Sequence, residues 1–138
     1  MFSLFSRLNF SKIGITADVL FQDTQNADRG SIAWTHRRSA DEEIYFISNQ
    51  LEKQRSIHLS FRESGKIPEL YNPVTDETIV LKQWKVENGR TIIPLELDKN
   101  ESCFIIFKEK TTSTNVDKGS NVANFKTVKT LDENWNLQ

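Results

Sequence analysis

The chain has 138 residues, a length that suits one domain with a single hydrophobic core. Charged residues make up 27% of it and the formal net charge is -1, with lysine and arginine scattered among the acidic residues. The lack of a basic stripe argues against a nucleic-acid partner. The apolar runs are far shorter than the roughly 20 residues that cross a bilayer, which favours a soluble protein.

The first thirty residues predict a short helix followed by a loop. Residues 4–13 carry apolar side chains at helical spacing, and Gly14 is a suitable stop. The polar run DTQNADRG at 23–30 predicts the connecting loop. Residues 1–10 hold one positive charge and no small-residue cleavage site follows them, so they do not predict a signal peptide.

After this loop the apolar pattern has the period of β-strands. The runs 32–37 and 43–49 are separated by RSADE, a loop of hairpin length. Apolar residues on both faces of the second run predict that both of its faces are covered. The next run alternates plainly, and three of its side chains are predicted to point inward: Ile57, Leu59 and Phe61.

The dipeptide Asn88-Gly89 favours the positive φ angles of a tight hairpin turn, so it predicts that residues 78–86 and 90–97 form a pair of strands. Pro94 lacks a backbone N–H and is expected on an edge strand or at a bulge. Residues 101–108 supply a further strand. Within it, Cys103 is the only cysteine of the chain and is predicted to be a buried, inert thiol.

These elements predict an all-β fold, an antiparallel β-sandwich of about six to eight strands with a short N-terminal helix. We divide the chain into a helix with its loop at 1–30, the sandwich at 31–110, and a last part at 111–138. Residues 109–124 are nearly free of apolar side chains, which is typical of a linker or an exposed crossing. A strand-like pattern resumes at Phe125 and stops midway, which indicates an added strand or the first strand of a following domain in a chain that has been cut.

The residues with chemical potential do not assemble into a catalytic centre. Asp41, Glu42 and Glu43 form the densest acidic group, but their place in a hairpin loop favours solvated charge over the paired carboxylates of a glycosidase. His36 and His58 lie on separate strands with no third ligand at a motif spacing, which argues against a metal site. No glycine-rich phosphate loop or serine elbow is present, and we predict no cofactor.

Glu69, in the segment KIPELYNP, is a better candidate for a buried carboxylate, because apolar residues and prolines surround it. Pairing with an arginine such as Arg38 or Arg62 is a simpler role for it than catalysis. Trp34 and Tyr71 belong to a group of aromatic residues that could stack on sugar rings. Aromatic residues in the strands of a small sandwich are, however, core material first.

Four segments stand out by their order and spacing: SIAWTHRRSADEEIYFISNQ, HLSFRESGKIPELYNPVTDET, GRTIIPLELDKNESCFIIFKE and TLDENWNLQ. Together they resemble the region that follows the catalytic barrel in large bacterial glycoside hydrolases of the alpha-L-rhamnosidase type (family 106). The resemblance runs from about residue 10 to residue 138. The chain departs from the family pattern at Tyr71, where tryptophan is frequent, and at Asp76-Glu77, where glycine is frequent.

The resemblance implies a noncatalytic accessory β-domain, because the family's catalytic carboxylates and calcium ligands lie in the upstream barrel, which has no counterpart in this sequence. It also implies a catalytic domain as structural partner and, for full-length relatives, a periplasmic or secreted location. A freestanding carbohydrate-binding module is the alternative. The residues that we expect to meet the neighbouring domain or a sugar are His36, Arg37, Arg38, Trp34, Glu69 and Tyr71.

Overall fold

The computed structural model describes residues 17–23 and 32–121. Ten strands occur there: β1 (Val19–Asp23), β2 (Ile32–Ser39), β3 (Glu42–Asn49), β4 (Arg55–Phe61), β5 (Lys66–Asn72), β6 (Glu77–Val80), β7 (Gln83–Glu87), β8 (Arg90–Leu97), β9 (Ser102–Lys110) and β10 (Asn115–Asp117). They form two antiparallel sheets: sheet A in the order β1-β4-β8-β7-β10 and sheet B in the order β2-β3-β9-β5-β6. The predicted antiparallel sandwich is confirmed, with more strands than expected.

The helix predicted at residues 4–13 lies outside the described residues. Within residues 17–23 and 32–121, no helix is long and apolar enough to cross a membrane. Sheet A extends beyond the range 31–110 at both of its edges, since β1 pairs with β4 and β10 pairs with β7, whereas the strands of sheet B lie within that range.

The core lies between the inner faces of the two sheets. The inward residues predicted for β4 are confirmed, and all three are no more than 1% exposed. Fully burying an apolar side chain of this size contributes about 1.5–3 kcal/mol relative to leaving it in water. The other fully buried apolar side chains of the central strands are Tyr45, Ile47, Leu70, Ile93, Leu95, Leu97, Cys103, Ile105 and Phe107.

Two tight hairpins organise the strands. Asn88 and Gly89 have φ angles of 54° and 74°, and Glu87 pairs with Arg90 across the turn, so the predicted hairpin is confirmed. The hairpin between β2 and β3 is tighter than the five-residue loop predicted from RSADE. Its strands pair from one end to the other, and only two residues, of which Ala40 has a φ of 52°, form the turn.

The prediction of a single strand at 78–86 was wrong. β6 pairs with β5 in sheet B, whereas β7 pairs with β8 in sheet A, so the chain changes sheets between them. Leu81 lies at this crossing and is 2% exposed. The local apolar pattern reports which side chains point inward, and it carries no information on which sheet supplies the neighbouring strand.

Residues 109–124 were assigned to a linker or exposed crossing; of these, residues 109–120 are largely exposed, yet they also contribute to both sheets. β9 extends to Lys110, β10 adds a strand to sheet A, and Asn121 is only 4% exposed. A strand of three residues paired at a sheet edge needs few apolar side chains, because its backbone hydrogen bonds hold it in place. Composition alone therefore failed to predict β10.

Pro94 does not lie on an edge strand, since β8 is at the centre of sheet A. The pairing between β7 and β8, however, ends at Ile92. Beyond that point the Pro94 carbonyl accepts a hydrogen bond from the Asn121 Nδ2 at 2.8 Å. The backbone N and O atoms of one strand residue point to the same side of the strand. The ring nitrogen of Pro94 therefore faces the part of β8 that β7 does not pair with. The missing N–H of Pro94 thus costs no hydrogen bond between strands.

Candidate functional site

The residues predicted to bind a partner lie on opposite faces of sheet B. Successive side chains of a strand alternate, so Trp34, His36 and Arg38 share one face of β2 and Arg37 lies on the other. The first face is turned toward the core. Trp34 packs against the core cluster, and the His36 ring stacks on the Tyr45 ring with the centroids 4.2 Å apart. The Arg37 side chain is exposed on the outer face.

His36 joins the two sheets at their edges. Its Nδ1 lies 2.9 Å from the Asp18 Oδ2, directly before β1 of sheet A, and its Nε2 lies 2.6 Å from the Glu43 Oε1 on β3 of sheet B. The other carboxylate oxygens are engaged as well: Arg62 pairs with the Asp18 Oδ1 and Arg38 with the Glu43 Oε2. A neutral imidazole donates through one nitrogen only, so contact with two carboxylates favours the protonated ring.

The pKa values reflect this network of charges. Burial acts to lower the pKa of His36, but the hydrogen bonds to Asp18 and Glu43 and their charges outweigh it and raise that pKa. The hydrogen bond from His36 lowers the pKa of Asp18, with Arg62 adding to the effect against the cost of burial. Burial acts to raise the pKa of Glu43, yet His36 and Arg38 together hold that pKa below its ordinary value.

The chemistry of this cluster is structural. Both nitrogens of His36 and all four oxygens of Asp18 and Glu43 are already engaged in hydrogen bonds or ion pairs. General acid–base catalysis requires an atom that can exchange a proton with a substrate, and the cluster presents none in this arrangement. We therefore interpret Asp18, His36 and Glu43 as a clamp between the sheets.

Two sequence-based expectations on charged residues were wrong. Glu43 is not a solvated loop residue but is 5% exposed, because it belongs to β3, whose alternation directs this side chain inward. Glu69 does not pair with Arg38 or Arg62, whose partners include Glu43 and Asp18. Asp18 itself was missed, since its part in the cluster depends on the long-range pairing of β1 with β4.

The outer face of sheet B carries an apolar surface. The strand registers place two rows of residues across it, one through Ile44 and Ile106 and the next through Phe46, Phe104 and Tyr71. The Phe46 and Phe104 rings are 5.2 Å apart, and the Phe104 and Tyr71 rings 5.9 Å. We call this surface the outer patch, and it consists of Ile44, Phe46, Tyr71, Val80, Phe104 and Ile106.

Polar residues border the outer patch and interrupt it at one point. Arg37 flanks Ile44, Glu69 lies between Ile106 and Val80, and an ion pair joins Lys108 to Glu42 at 3.9 Å. The patch itself is partly exposed, with Val80 at 57%, because no strand among residues 17–23 and 32–121 packs over it. Outward positions of a sandwich are ordinarily polar, and apolar patches with a polar rim mark interaction surfaces.

The outer patch bears on two further expectations from the sequence. Of the two faces of the run 43–49, the inner one is buried as predicted, while nothing described covers the outer one. Of the six predicted binding residues, Arg37, Glu69 and Tyr71 lie in or beside the patch. The Tyr71 ring is held in place by its hydroxyl, which donates to the Asp76 Oδ1 at 3.0 Å.

Metal ligation has no support in the described ranges, where no three His, Cys, Asp or Glu side chains are grouped to hold an ion.

Comparison with known proteins places the chain in a family. The sequence model of glycoside hydrolase family 106, alpha-L-rhamnosidase, matches residues 5–85. The chain belongs to this family. A rhamnosidase from Novosphingobium sp. PP1Y has a solved structure that matches with a TM-score of 0.73 and 32% identity, over 81% of this chain and 10% of that one.

A second relative comes from Formosa agariphila and bears the name "Putative beta-glucuronidase". It is 32% identical over 85 residues, which are 61% of this chain and 7% of the relative. The chain therefore spans a tenth or less of the length of either relative. Since its described residues build a β-sandwich, it is an accessory region of a glycoside hydrolase and the resemblance found in the sequence is confirmed.

Proposed function

We propose that this sandwich is a structural domain that docks onto the catalytic part of an alpha-L-rhamnosidase-type glycoside hydrolase through the outer patch. The observation that carries the proposal is the apolar surface on a face of sheet B over which no strand of residues 17–23 and 32–121 packs. Both relatives extend far beyond the matched region, so each supplies further protein that can cover such a face.

The composition of the patch suits an interface within one chain. Its side chains are already partly covered by one another, so burying the remainder contributes on the order of 1 kcal/mol for each. Six such contributions add to several kcal/mol, which is enough to hold two tethered domains in one orientation, because tethering removes much of the entropic cost of association. Arg37 at the rim and Glu69 between Ile106 and Val80 can supply the hydrogen bonds that fix the orientation.

The clamp supports this role from the opposite side of the sheet. His36 and Glu43 hold β2 and β3 against the edge of sheet A, where Asp18 lies. A sheet that is fixed at its edge keeps the side chains of the outer patch in one arrangement. The domain then acts as a rigid support, while hydrolysis belongs to the catalytic part, and we expect no turnover of aryl alpha-L-rhamnosides by this chain.

Two matched isoleucines allow a direct test. Ile106 lies on the central strand of sheet B within the outer patch, and Ile92 lies on the central strand of sheet A with its side chain on that sheet's outer face. The binding partner is a variant of the Novosphingobium rhamnosidase that lacks the region matching this chain, which is 10% of its length. We expect the wild-type chain and Ile92→Ser to co-elute with it in size-exclusion chromatography, and Ile106→Ser to elute separately.

Two results would count against docking through the outer patch. One is equal binding by Ile106→Ser and Ile92→Ser. The other is a failure of the wild-type chain to co-elute at about 100 μM, since a hydrophobic interface of this size is expected to bind more tightly than that.

A further inference from the structure

A groove lies on the side of the molecule opposite to the outer patch. It follows the outer surface of sheet A and has a volume of about 620 Å³, within the range of about 300–1,000 Å³ that is typical of ligand sites. It crosses all five strands, from Gln22 on β1 past His58 and Pro94 on β4 and β8 to Lys85 and Asn115 on β7 and β10.

Three side-chain amides are spread along this groove. Gln22 and Asn115 stand on the two edge strands of sheet A, and Gln83 stands on β7 between β8 and β10. Each amide offers donors and an acceptor, which is the combination that a pair of neighbouring hydroxyl groups requires. The backbone of Gln83 is fixed at both of its polar groups, because its N–H donates to the Asn121 Oδ1 and its carbonyl accepts from the Asn121 Nδ2.

The charges of the groove compensate one another in part. The Lys85 Nζ lies 3.0 Å from the Glu87 Oε2, so the strongest cation of the groove faces an anion of the same strand. Asp117 adds a second carboxylate on β10 and His58 an imidazole on β4. An anionic ligand would meet Glu87 and Asp117, so the lining disfavours anions and admits an uncharged, hydroxyl-rich molecule.

The floor of the groove is apolar. Ile92 and Pro94 are two residues apart on the central strand and expose part of their side chains there. Such a surface suits the C–H face of a pyranose ring. Trp84 also borders the groove, but it is 3% exposed and does not offer a ring face for stacking. An affinity in the millimolar range, about -4 kcal/mol, is therefore what this lining supports.

We propose that the groove on sheet A binds a neutral oligosaccharide through Gln22, Gln83 and Asn115, with Ile92 and Pro94 beneath the sugar rings. This site goes beyond the docking role, since it lies on the other sheet and does not involve the outer patch. A single sandwich then holds the catalytic part with one face and a segment of glycan with the other.

The test is an NMR titration of the full chain that follows the side-chain amide signals and the Ile92 methyl signals. The probes are two neutral tetrasaccharides, cellotetraose and one that ends in alpha-L-rhamnose, with tetragalacturonate as the charged comparison. We expect saturable shifts with at least one neutral probe at a Kd of about 5 mM or lower. The double variant Gln83→Ala/Asn115→Ala should weaken binding at least tenfold.

Thr78→Ala is the matched control, because Thr78 is exposed on the outer face of sheet B and should leave the Kd unchanged. Unchanged dispersion of the backbone signals shows that each variant is folded. The proposal is overturned if neither neutral probe gives saturable shifts at about 20 mM, if tetragalacturonate binds more tightly, or if Thr78→Ala loses as much affinity as the double variant. Ile106→Ser, which tests docking, should keep the saccharide affinity of the wild type.

Discussion

The His36 Nε2 lies 2.6 Å from the Glu43 Oε1, and the opposite side of the same ring faces Asp18, so a single imidazole connects the edges of the two sheets. Replacing His36 with alanine should lower the free energy of unfolding by about 1–3 kcal/mol, because Glu43 would keep its buried charge and lose one of its partners. Urea unfolding followed by fluorescence measures this change. His58→Ala, at an exposed site on β4, should change stability by less than about 0.5 kcal/mol. Equal losses in both variants would contradict the clamp.

The clamp also predicts how stability depends on pH. The pKa of His36 is raised above 6.5, so its contribution is fully present below pH 6.5 and is lost as pH rises through the pKa of the folded state. The pKa values of Asp18 and Glu43 are lowered from 3.8 and 4.5, so their contributions are present above these values and are lost as pH falls. Burial raises the pKa of Glu63, whose contribution likewise declines as pH rises above 4.5. Stability should therefore be greatest between pH 4.5 and 6.5.

Urea unfolding at about pH 3, 5.5 and 8.5 measures this profile, and His36→Gln serves as its control. The variant has no titrating group at this position and should lose less stability than the wild type between pH 5.5 and 8.5. A wild-type protein that gains stability over that interval would show that His36 is not stabilised in its protonated form.

Asn121 completes the ladder between β7 and β8. Its Oδ1 accepts from the backbone N–H groups of Lys82 and Gln83, and its Nδ2 donates to the carbonyls of Gln83 and Pro94. Asn121→Ala should lower the free energy of unfolding by about 3 kcal/mol, because several buried backbone groups would lose their partners. Asn115→Ala, at an exposed site, is the matched control, and a similar cost in both variants would rule out this role.

Cys103 should react with a thiol reagent only when the protein unfolds. It is 0% exposed in the core, and burial raises the pKa of its thiol above the ordinary value of 9.0, so very little thiolate forms in the folded protein. The rate of labelling by a chromophoric disulfide should follow the fraction unfolded as urea is increased. Rapid labelling without denaturant would mean that β9 is accessible in the folded state.

Sequence patterns predicted those parts of the fold that depend on residues close together in the chain. The alternation of Ile57, Leu59 and Phe61 identified the inner face of β4, and Asn88-Gly89 identified a hairpin, because both depend on neighbours in sequence. The separation of β6 from β7 could not be predicted, since it depends on which strands lie beside Leu81 in space. Residues far apart in the chain decide such pairings.

The candidate site shows the same limit. Period-two alternation implies that His36 and Arg37 point to opposite faces, so their grouping into one site was avoidable. The apolar residues on both faces of β3 did signal that its outer face carries apolar as well as polar side chains. Only the sheet order shows that no strand of residues 17–23 and 32–121 packs over the Phe46 side of β3.

The most direct measurement of the docking role is the solvent-accessible area of the matching face in the solved Novosphingobium rhamnosidase, after superposition of this sandwich on it. We expect the residues at the positions of Ile44, Phe46, Phe104 and Ile106 to be buried by other parts of that chain, while the face that matches the groove of sheet A stays open. A matching face of sheet B that is exposed to solvent in the rhamnosidase would contradict the proposed docking.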